Sequence, residues 1–92
     1  ALEQAWLAVS LYLRYYPDSE RAAWAESLRD GLLRRRARKA YEVALFYDRV
    51  ARRHEAARHA YEAYMRAFPR SAWTAEARKR LAELRNEGEP DT

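Results

Sequence analysis

The sequence predicts an all-α fold of about four helices, one of which is long and links the others. Alanine, arginine, leucine and glutamate dominate the 92 residues and isoleucine is absent, so helix formers far outnumber strand formers. Apolar residues recur at helical spacing, and Pro17 and Pro69 interrupt them. The two ends of the chain also repeat one another, as in folds built from stacked helical units.

The first helix is predicted from Leu2 to Tyr16. Pro17 ends it, because the residue before a proline is pushed out of the α-helical region. Asp18 and Ser19 then offer side-chain oxygens that can cap a second helix. Spacings of four, three, four and three residues place five apolar side chains on one face of the first helix. They are Leu2, Trp6, Val9, Leu13 and Tyr16.

The second helix is predicted to run from Glu20 to Arg52 without interruption. Its weak point is Asp30-Gly31, where a turn would give two shorter helices. A glycine within a helix costs only about 1 kcal/mol relative to alanine, and strong helix formers flank this one, so one long helix is favoured. Its predicted inward side chains are Leu28, Leu32, Ala40, Val43, Ala44, Tyr47 and Ala51.

A short polar turn at residues 52–54 precedes a third helix, predicted from Glu55 to Phe68. Pro69 stops this helix, and Ser71 is placed to cap the fourth. The predicted inward side chains of the third and fourth helices are Ala57, Ala60, Tyr61, Tyr64, Phe68, Trp73, Ala77, Leu81 and Leu84.

The fourth helix is expected to fray at residues 86–88. Residues 1–86 are therefore predicted to form one helical segment, and residues 87–92 to form a polar, disordered tail.

An internal repeat relates the two ends of the chain at a distance of 52 residues. A tetratricopeptide unit repeats at about 34 residues. The excess of about 18 residues makes about five whole helical turns, so an insertion of this length preserves the direction in which side chains face. This favours a long linking helix over a loop at Gly31. The matched pairs are Ala5 and Ala57, Ala8 and Ala60, Tyr12 and Tyr64, Arg14 and Arg66, Pro17 and Pro69, Ser19 and Ser71, Ala23 and Ala75, and Ala25 and Ala77.

The second half of the chain carries a series of motifs. Val43-Ala44-x-Phe46-Tyr47 lies in one helix, Ala56-Ala57 opens the next, Tyr61 and Pro69 follow, and Arg80-Leu81-Ala82-Glu83-Leu84 ends the last helix. This series resembles the tetratricopeptide repeats of the outer-membrane assembly lipoprotein BamD and its periplasmic relatives, and the resemblance covers roughly residues 5–85. It implies a tetratricopeptide-like α-solenoid fragment with a long linking helix. It also implies protein binding in outer-membrane protein assembly, in the periplasm or at the periphery of the outer membrane.

The chain shows no residue pattern that indicates catalysis. It has no cysteine, and its two glycines, Gly31 and Gly88, cannot form a glycine-rich phosphate loop. His54 and His59 are five residues apart, which separates them by about 140° on a helix and gives no shared metal face. We therefore expect no enzymatic activity, no cofactor, no metal ion and no small-molecule substrate.

The basic run from Leu33 to Lys39 is the most distinctive local feature. Its simplest interpretation is a solvated helix face, partly paired with Glu42. The functional interpretations are contact with an acidic protein, with membrane headgroups or with nucleic acid. The acidic protein is favoured, because nucleic-acid binders usually expose aromatic side chains beside their basic groups, whereas the aromatic residues here lie at core-like spacings.

Tyrosine, tryptophan and arginine are the side chains that most often dominate protein interfaces. So small a chain cannot bury all of its aromatic residues, so some of them are predicted to form a recognition surface with nearby arginines. The alternative is that the aromatic side chains simply pack the repeats together. The candidate binding residues are Tyr12, Tyr15, Trp24, Arg34, Arg35, Arg38, Tyr41, Arg49 and Tyr64.

The sequence thus predicts a non-catalytic scaffold that binds other protein subunits with acidic surfaces, and the resemblance implies that it does so within a larger bacterial-envelope assembly. One alternative is a small structural subunit embedded permanently in a large membrane-associated complex, with its arginines facing lipid phosphates. A second is a helical protein that binds nucleic acid through the basic run at residues 34–39, and nucleic acid is the less favoured partner.

Overall fold

The computed structural model describes residues 1–88, and every regular element in that range is a helix. This confirms the all-α prediction of four helices with one long helix. The predicted tail at residues 87–92 begins too early, since the last helix includes Gly88, and residues 89–92 lie outside the described range. The elements are α1 (Leu2–Tyr15), α2 (Ala22–Leu45) with its π-helical continuation (Phe46–Val50), α3 (His54–Ala67) and α4 (Thr74–Gly88).

The same turn follows α1 and α3. Tyr16 and Phe68 leave the helical region at φ angles of −132° and −133°, because a proline follows each of them. Their N–H groups still donate to the carbonyls of Tyr12 and Tyr64, at 2.8 Å in both turns. The predicted helix ends at the two prolines are therefore confirmed.

A tyrosine–serine hydrogen bond closes each turn. The hydroxyls of Tyr12 and Ser19 lie 2.8 Å apart, and those of Tyr64 and Ser71 form the equivalent bond. Ser71 Oγ also accepts from the N–H of Trp73 at 3.3 Å, within the turn that precedes α4. The starts of α1 and α3, and those of α2 and α4, are both 52 residues apart, so the sequence repeat is a structural repeat.

α2 passes through Gly31 as regular helix, which confirms the predicted long helix. A Cβ atom at this position would meet only the end of the Arg34 side chain, at 3.9 Å. No described glycine has a positive φ angle. Neither the backbone nor the packing therefore requires a glycine at position 31.

The chain forms two compact units, and α2 contributes to both. Unit 1 comprises residues 1–36, and unit 2 begins at Ala37. The core of unit 1 is small: Leu13, Ala22 and Ala25 are buried, and Val9 and Tyr12 pack against them.

The core of unit 2 is larger and combines alanines with tyrosines. Ala44, Ala57 and Ala77 have no exposed surface, so their helices approach closely. Tyr61 and Tyr64 are each 1% exposed and are the largest fully buried side chains of this core. The buried residues of this core are Ala37, Tyr41, Ala44, Ala57, Tyr61, Tyr64, Ala77, Leu81 and Leu84.

The predicted inner faces are confirmed for α3 and α4 and partly wrong for α1 and α2. Leu28 is 39% exposed, Val43 47% and Tyr16 59%, and Ala51 is exposed as well. In unit 2 the buried line of α2 follows spacings of four, three and four residues, so Val43 lies on the outer side. That line is Ala37, Tyr41, Ala44 and Asp48.

Candidate protein-binding cleft

Unit 2 contains an open cleft of about 690 Å³. The end of α2, its π-helical continuation, and helices α3 and α4 form its walls. Its lining is mainly polar and is rich in arginine and tyrosine. The lining residues are Tyr41, Asp48, Arg49, Arg52, His54, Tyr61, Glu76, Lys79, Arg80 and Glu83.

Asp48 is a buried carboxylate that holds two other side chains of the cleft in place. Its residue exposure is only 6%, and Arg80 donates to both of its carboxylate oxygens, at 2.8 and 2.9 Å. The Tyr61 hydroxyl donates a third hydrogen bond at 2.9 Å. The Arg80 hydrogen bonds lower the pKa of Asp48 despite its burial, and the Tyr61 bond lowers it further. This carboxylate is therefore an anchor for two side chains.

Tyr41 also lines the cleft. Its hydroxyl donates to Glu76 Oε2 at 3.3 Å, and its ring stacks on Trp73 with centroids 5.9 Å apart. Burial, and then the charge of Glu76, raise the pKa of Tyr41. At neutral pH this side chain therefore presents a protonated hydroxyl and a largely buried ring.

Three cations on the rim lack a neutralising partner. The side chains of Arg49, Arg52 and Lys79 make no hydrogen bond or ion pair with any residue in the described range 1–88. Arg80, by contrast, is bound to Asp48 and to Glu83. These three cations do not pair with any carboxylate of the described chain, so they are available to a carboxylate of another molecule.

The backbone at the end of α2 places two of these cations. The N–H of Ala51 donates to the carbonyl of Phe46, five residues earlier, which widens the last turn into a π-helix. Arg52 then adopts φ = 52°, a left-handed conformation that usually favours glycine. A non-glycine residue in this conformation stores strain, and such strain is concentrated at functional sites.

The candidate residues in unit 2 have different environments. Tyr41 and Arg49 line the cleft, as a binding role requires. Tyr64 is 1% exposed, so its ring is unavailable to a partner and serves the core. Arg38 is exposed and donates to Glu42 at 3.0 Å, as expected for a solvated helix face.

The candidates in unit 1 are mostly accessible. Tyr15 is 69% exposed and Trp24 is 65% exposed, and Arg34 and Arg35 are exposed as well. Tyr12 is half-buried and bonded to Ser19.

Elsewhere in the basic run, one arginine stabilises unit 1. Arg36 pairs with Glu3 at 2.7 Å and lies over the ring of Trp6, 4.9 Å from its centroid.

Eight of the ten residues that line the cleft are not among the candidates predicted from the sequence, and Asp48, Arg52, Lys79 and Arg80 are four of them. One signal was present in the sequence. Asp48 continues a line of small and aromatic residues at helical spacing, and a carboxylate on a buried face needs a cation or hydroxyl partner. No local pattern identifies Arg80 as that partner, because 32 residues separate the two.

Residues 1–88 contain neither a cluster of metal ligands nor a helix that could cross a membrane. No group of three or more histidine, cysteine, aspartate or glutamate side chains there is arranged to hold a metal ion. No helix within the same residues is sufficiently long and apolar to span a bilayer.

Comparison of the chain with family models, with curated proteins and with solved structures gives no match.

Proposed function

We propose that this chain is a non-catalytic, tetratricopeptide-type module that binds other proteins, and that the cleft of unit 2 receives an acidic segment of its partner. The observation that carries the proposal is the group of three unpaired cations, Arg49, Arg52 and Lys79, on the rim of one concave surface. Concave surfaces of stacked helical units are where such proteins bind extended partners.

The Asp48–Arg80–Tyr61 network supports this role. It fixes the floor of the cleft with three hydrogen bonds, so the rim cations are presented from a preorganised surface. Preorganisation lowers the entropy lost on binding. The exposed cations also attract an acidic partner and increase its rate of association.

The setting that we propose is a bacterial envelope assembly of the BamD type. Its support is the resemblance of the motifs in residues 41–84 and the long helix shared by the two copies of the repeat. Within such an assembly the chain is a scaffold that links subunits, located in the periplasm or at the periphery of the outer membrane.

The test is the binding of a fluorescein-labelled peptide rich in glutamate and leucine, measured by fluorescence anisotropy over a range of salt concentrations. A variant with Arg49→Gln, Arg52→Gly and Lys79→Gln should bind the peptide about tenfold more weakly or worse, because each exposed charge contributes up to about 1 kcal/mol. Glycine at position 52 adopts the left-handed conformation without strain, so the fold is preserved.

A matched control removes three exposed cations outside the cleft, through Arg34→Gln, Arg35→Gln and Arg70→Gln. This control variant should bind the peptide nearly as well as the parent protein. Loss of binding in the control alone would assign the interaction to the basic run of α2 and overturn the cleft. Tighter, steeply salt-dependent binding of arbitrary DNA would favour the nucleic-acid alternative.

A permanent structural subunit is the second candidate function. The observation that favours it is the number of large apolar side chains left on the surface. Among them, Leu7 is 58% exposed, Phe46 53% and Val50 70%. Such a subunit should be poorly folded without its complex, so a sharp, cooperative thermal transition of the isolated chain would argue against it.

A further inference from the structure

The two copies of the repeat differ in what covers them. In unit 2, residues 37–50 of α2 pack on the hairpin of α3 and α4. The hairpin of unit 1 has the same turn, yet no helix takes the equivalent position among residues 1–36, all of which the structure describes. The second copy is therefore a covered hairpin, whereas the first keeps the turn but lacks the covering helix, and its helices α1 and α2 lie less close together than α3 and α4 do.

Burial on α1 and α3 shows the difference directly. Ala57 and Tyr61 of α3 are 0% and 1% exposed. Their counterparts 52 residues earlier are Ala5, which is exposed, and Val9, which is half-buried. The fully buried Tyr64 likewise corresponds to the half-buried Tyr12.

The second helix of the hairpin differs in its side chains more than in its burial, since Glu76 is exposed and Arg80 half-buried in unit 2. In α4, Glu76 and Arg80 bind the covering segment through Tyr41 and Asp48. Their counterparts in α2 are Trp24 and Leu28, which are 65% and 39% exposed. We call Ala5, Val9, Tyr12, Trp24 and Leu28 the open face of unit 1.

We propose that the open face binds an amphipathic helix of a partner protein, seated on unit 1 as residues 37–50 are seated on the hairpin of unit 2. The proposal extends the proposed function to a second surface, distinct from the cationic cleft.

Close packing between helices determines which residue the partner helix needs at its middle. In unit 2, Ala44 lies in one core with Ala57 and Ala77, and none of the three has exposed surface. Unit 1 has alanines at both equivalent positions: Ala5 is exposed, and Ala25 is already buried in the core of unit 1. Because small side chains let helix backbones approach one another, the partner helix must carry a small residue at the position of Ala44.

The hydrogen-bonding residues of unit 2 have apolar counterparts in unit 1, and this difference determines which residues the partner helix needs near its two ends. Asp48 is satisfied by Tyr61 and Arg80, but the counterparts of those two residues in unit 1 are Val9 and Leu28, which cannot donate a hydrogen bond. A carboxylate seated there would be buried without a partner, at considerable cost. The partner helix therefore carries an apolar residue four positions after its small residue.

The same reasoning applies to the N-terminal end of the partner helix, at the position of Tyr41. The Tyr41 hydroxyl donates to Glu76 in unit 2, whereas the counterpart of Glu76 is Trp24, which has no acceptor. An apolar ring or aliphatic side chain is therefore favoured three positions before the small residue. The expected pattern is apolar, two intervening residues, small, three intervening residues, apolar.

The probe is a synthetic peptide with the sequence of residues 37–50, changed by Tyr41→Phe and Asp48→Leu. Val43→Lys, Phe46→Gln and Val50→Lys remove its outward apolar side chains, which keeps the peptide monomeric. Binding to the full chain is followed by amide chemical shifts in nuclear magnetic resonance spectra. We expect the shifts to change in residues 5–28 and to stay unchanged in the equivalent residues 57–80.

Two comparison peptides test the pattern. Restoring Asp48 should weaken binding by at least about tenfold, because the carboxylate has no donor on unit 1. An Ala44→Trp change should abolish binding, because a large side chain prevents close approach. Equal affinities for all three peptides would overturn the proposal, and so would the absence of binding by the first.

A matched pair of protein variants tests the surface. Trp24→Glu with Leu28→Glu should abolish peptide binding. Leu7→Glu with Leu11→Glu should not, although Leu7 and Leu11 are comparably exposed at 58% and 41%. The counterparts of Leu7 and Leu11 in unit 2, His59 and Ala63, are exposed rather than covered. The reverse result would overturn the proposal.

Two further measurements separate this proposal from its rivals. Light scattering of the parent chain should show a monomer, whereas self-association that Trp24→Glu abolishes would mean that a second copy covers the open face. The glutamate-rich peptide should bind the Trp24→Glu, Leu28→Glu variant with unchanged affinity, because its cleft lies in unit 2. The open face and the cleft can therefore each fail alone.

Discussion

Asp48 lies on the buried face of α2, where its neighbours in the same line are Ala37, Tyr41 and Ala44. Burying a carboxylate costs several kcal/mol unless cations and donors satisfy it. Here Arg80 and Tyr61 do so, and the π-helical turn begins two residues earlier, at Phe46. A single charged residue thus connects the end of α2 to both other helices of unit 2.

Removing Asp48 should therefore destabilise unit 2. We expect Asp48→Ala to lower the free energy of unfolding by about 2–3 kcal/mol, because it leaves the Arg80 guanidinium without its anchor and Tyr61 without its acceptor. Urea denaturation followed by circular dichroism measures the change. Glu42→Ala, which removes the exposed partner of Arg38, is the control and should cost less than about 0.5 kcal/mol. Equal effects of the two changes would contradict the anchoring role.

The same residue should give unit 2 a specific dependence on acid. The pKa of Asp48 is lowered in the folded protein from its ordinary value of 3.8. Its contribution is therefore complete above about pH 4 and is lost as the pH falls through the lowered pKa. Relative to the parent chain, Asp48→Asn should lose less stability between neutral and acidic pH. Parallel pH profiles of the two proteins, measured by urea midpoints, would show that Asp48 makes no such contribution.

At the scale of elements, helical periodicity and proline positions predict most of the structure. They predict the ends of α1 and α3, because Pro17 and Pro69 restrict the residue before them whatever its surroundings. They do not predict the π-helical turn, because nothing in its sequence, Phe46–Val50, distinguishes it from an ordinary helical turn. The outward position of Val43 could not be predicted either. Val43 is next to the buried residue Ala44, and periodicity alone does not show on which side of Ala44 the core lies.

Gly31 gives a direct test of the long helix. Alanine at this position meets only ordinary contact distances, and it restricts the unfolded chain more than glycine does. Gly31→Ala should therefore raise the free energy of unfolding by about 0.5–1 kcal/mol. The reciprocal control, Ala82→Gly at an exposed position of α4, should lower it by a similar amount. Destabilisation by Gly31→Ala would mean that α2 bends or opens at this glycine.

At the scale of the whole molecule, the helix–turn–helix repeat occurs twice, but the two copies belong to hydrophobic cores of unequal size. Unit 2 buries nine residues in one cluster, whereas the cluster of unit 1 has three buried residues. The sequence shows the duplication plainly, through Tyr12 and Tyr64 or Ser19 and Ser71. It does not show the inequality, because burial depends on the covering segment 37–50 and not on the residues that the two copies share.

This inequality predicts different behaviour of the two units as separate polypeptides. A fragment of residues 37–92 should be helical and unfold cooperatively, because its buried tyrosines, alanines and leucines form one cluster around the Asp48 network. A fragment of residues 1–36 should be mostly unfolded, because chains below about 40 residues rarely bury enough surface to fold alone. Circular dichroism over a thermal scan measures both. If the short fragment melted as cooperatively as the long one, its few core contacts would suffice, and the open face would have no need of a covering helix for stability. If the short fragment instead gained helix only when mixed with the Asp48→Leu peptide, its folding and the occupation of its open face would be one process.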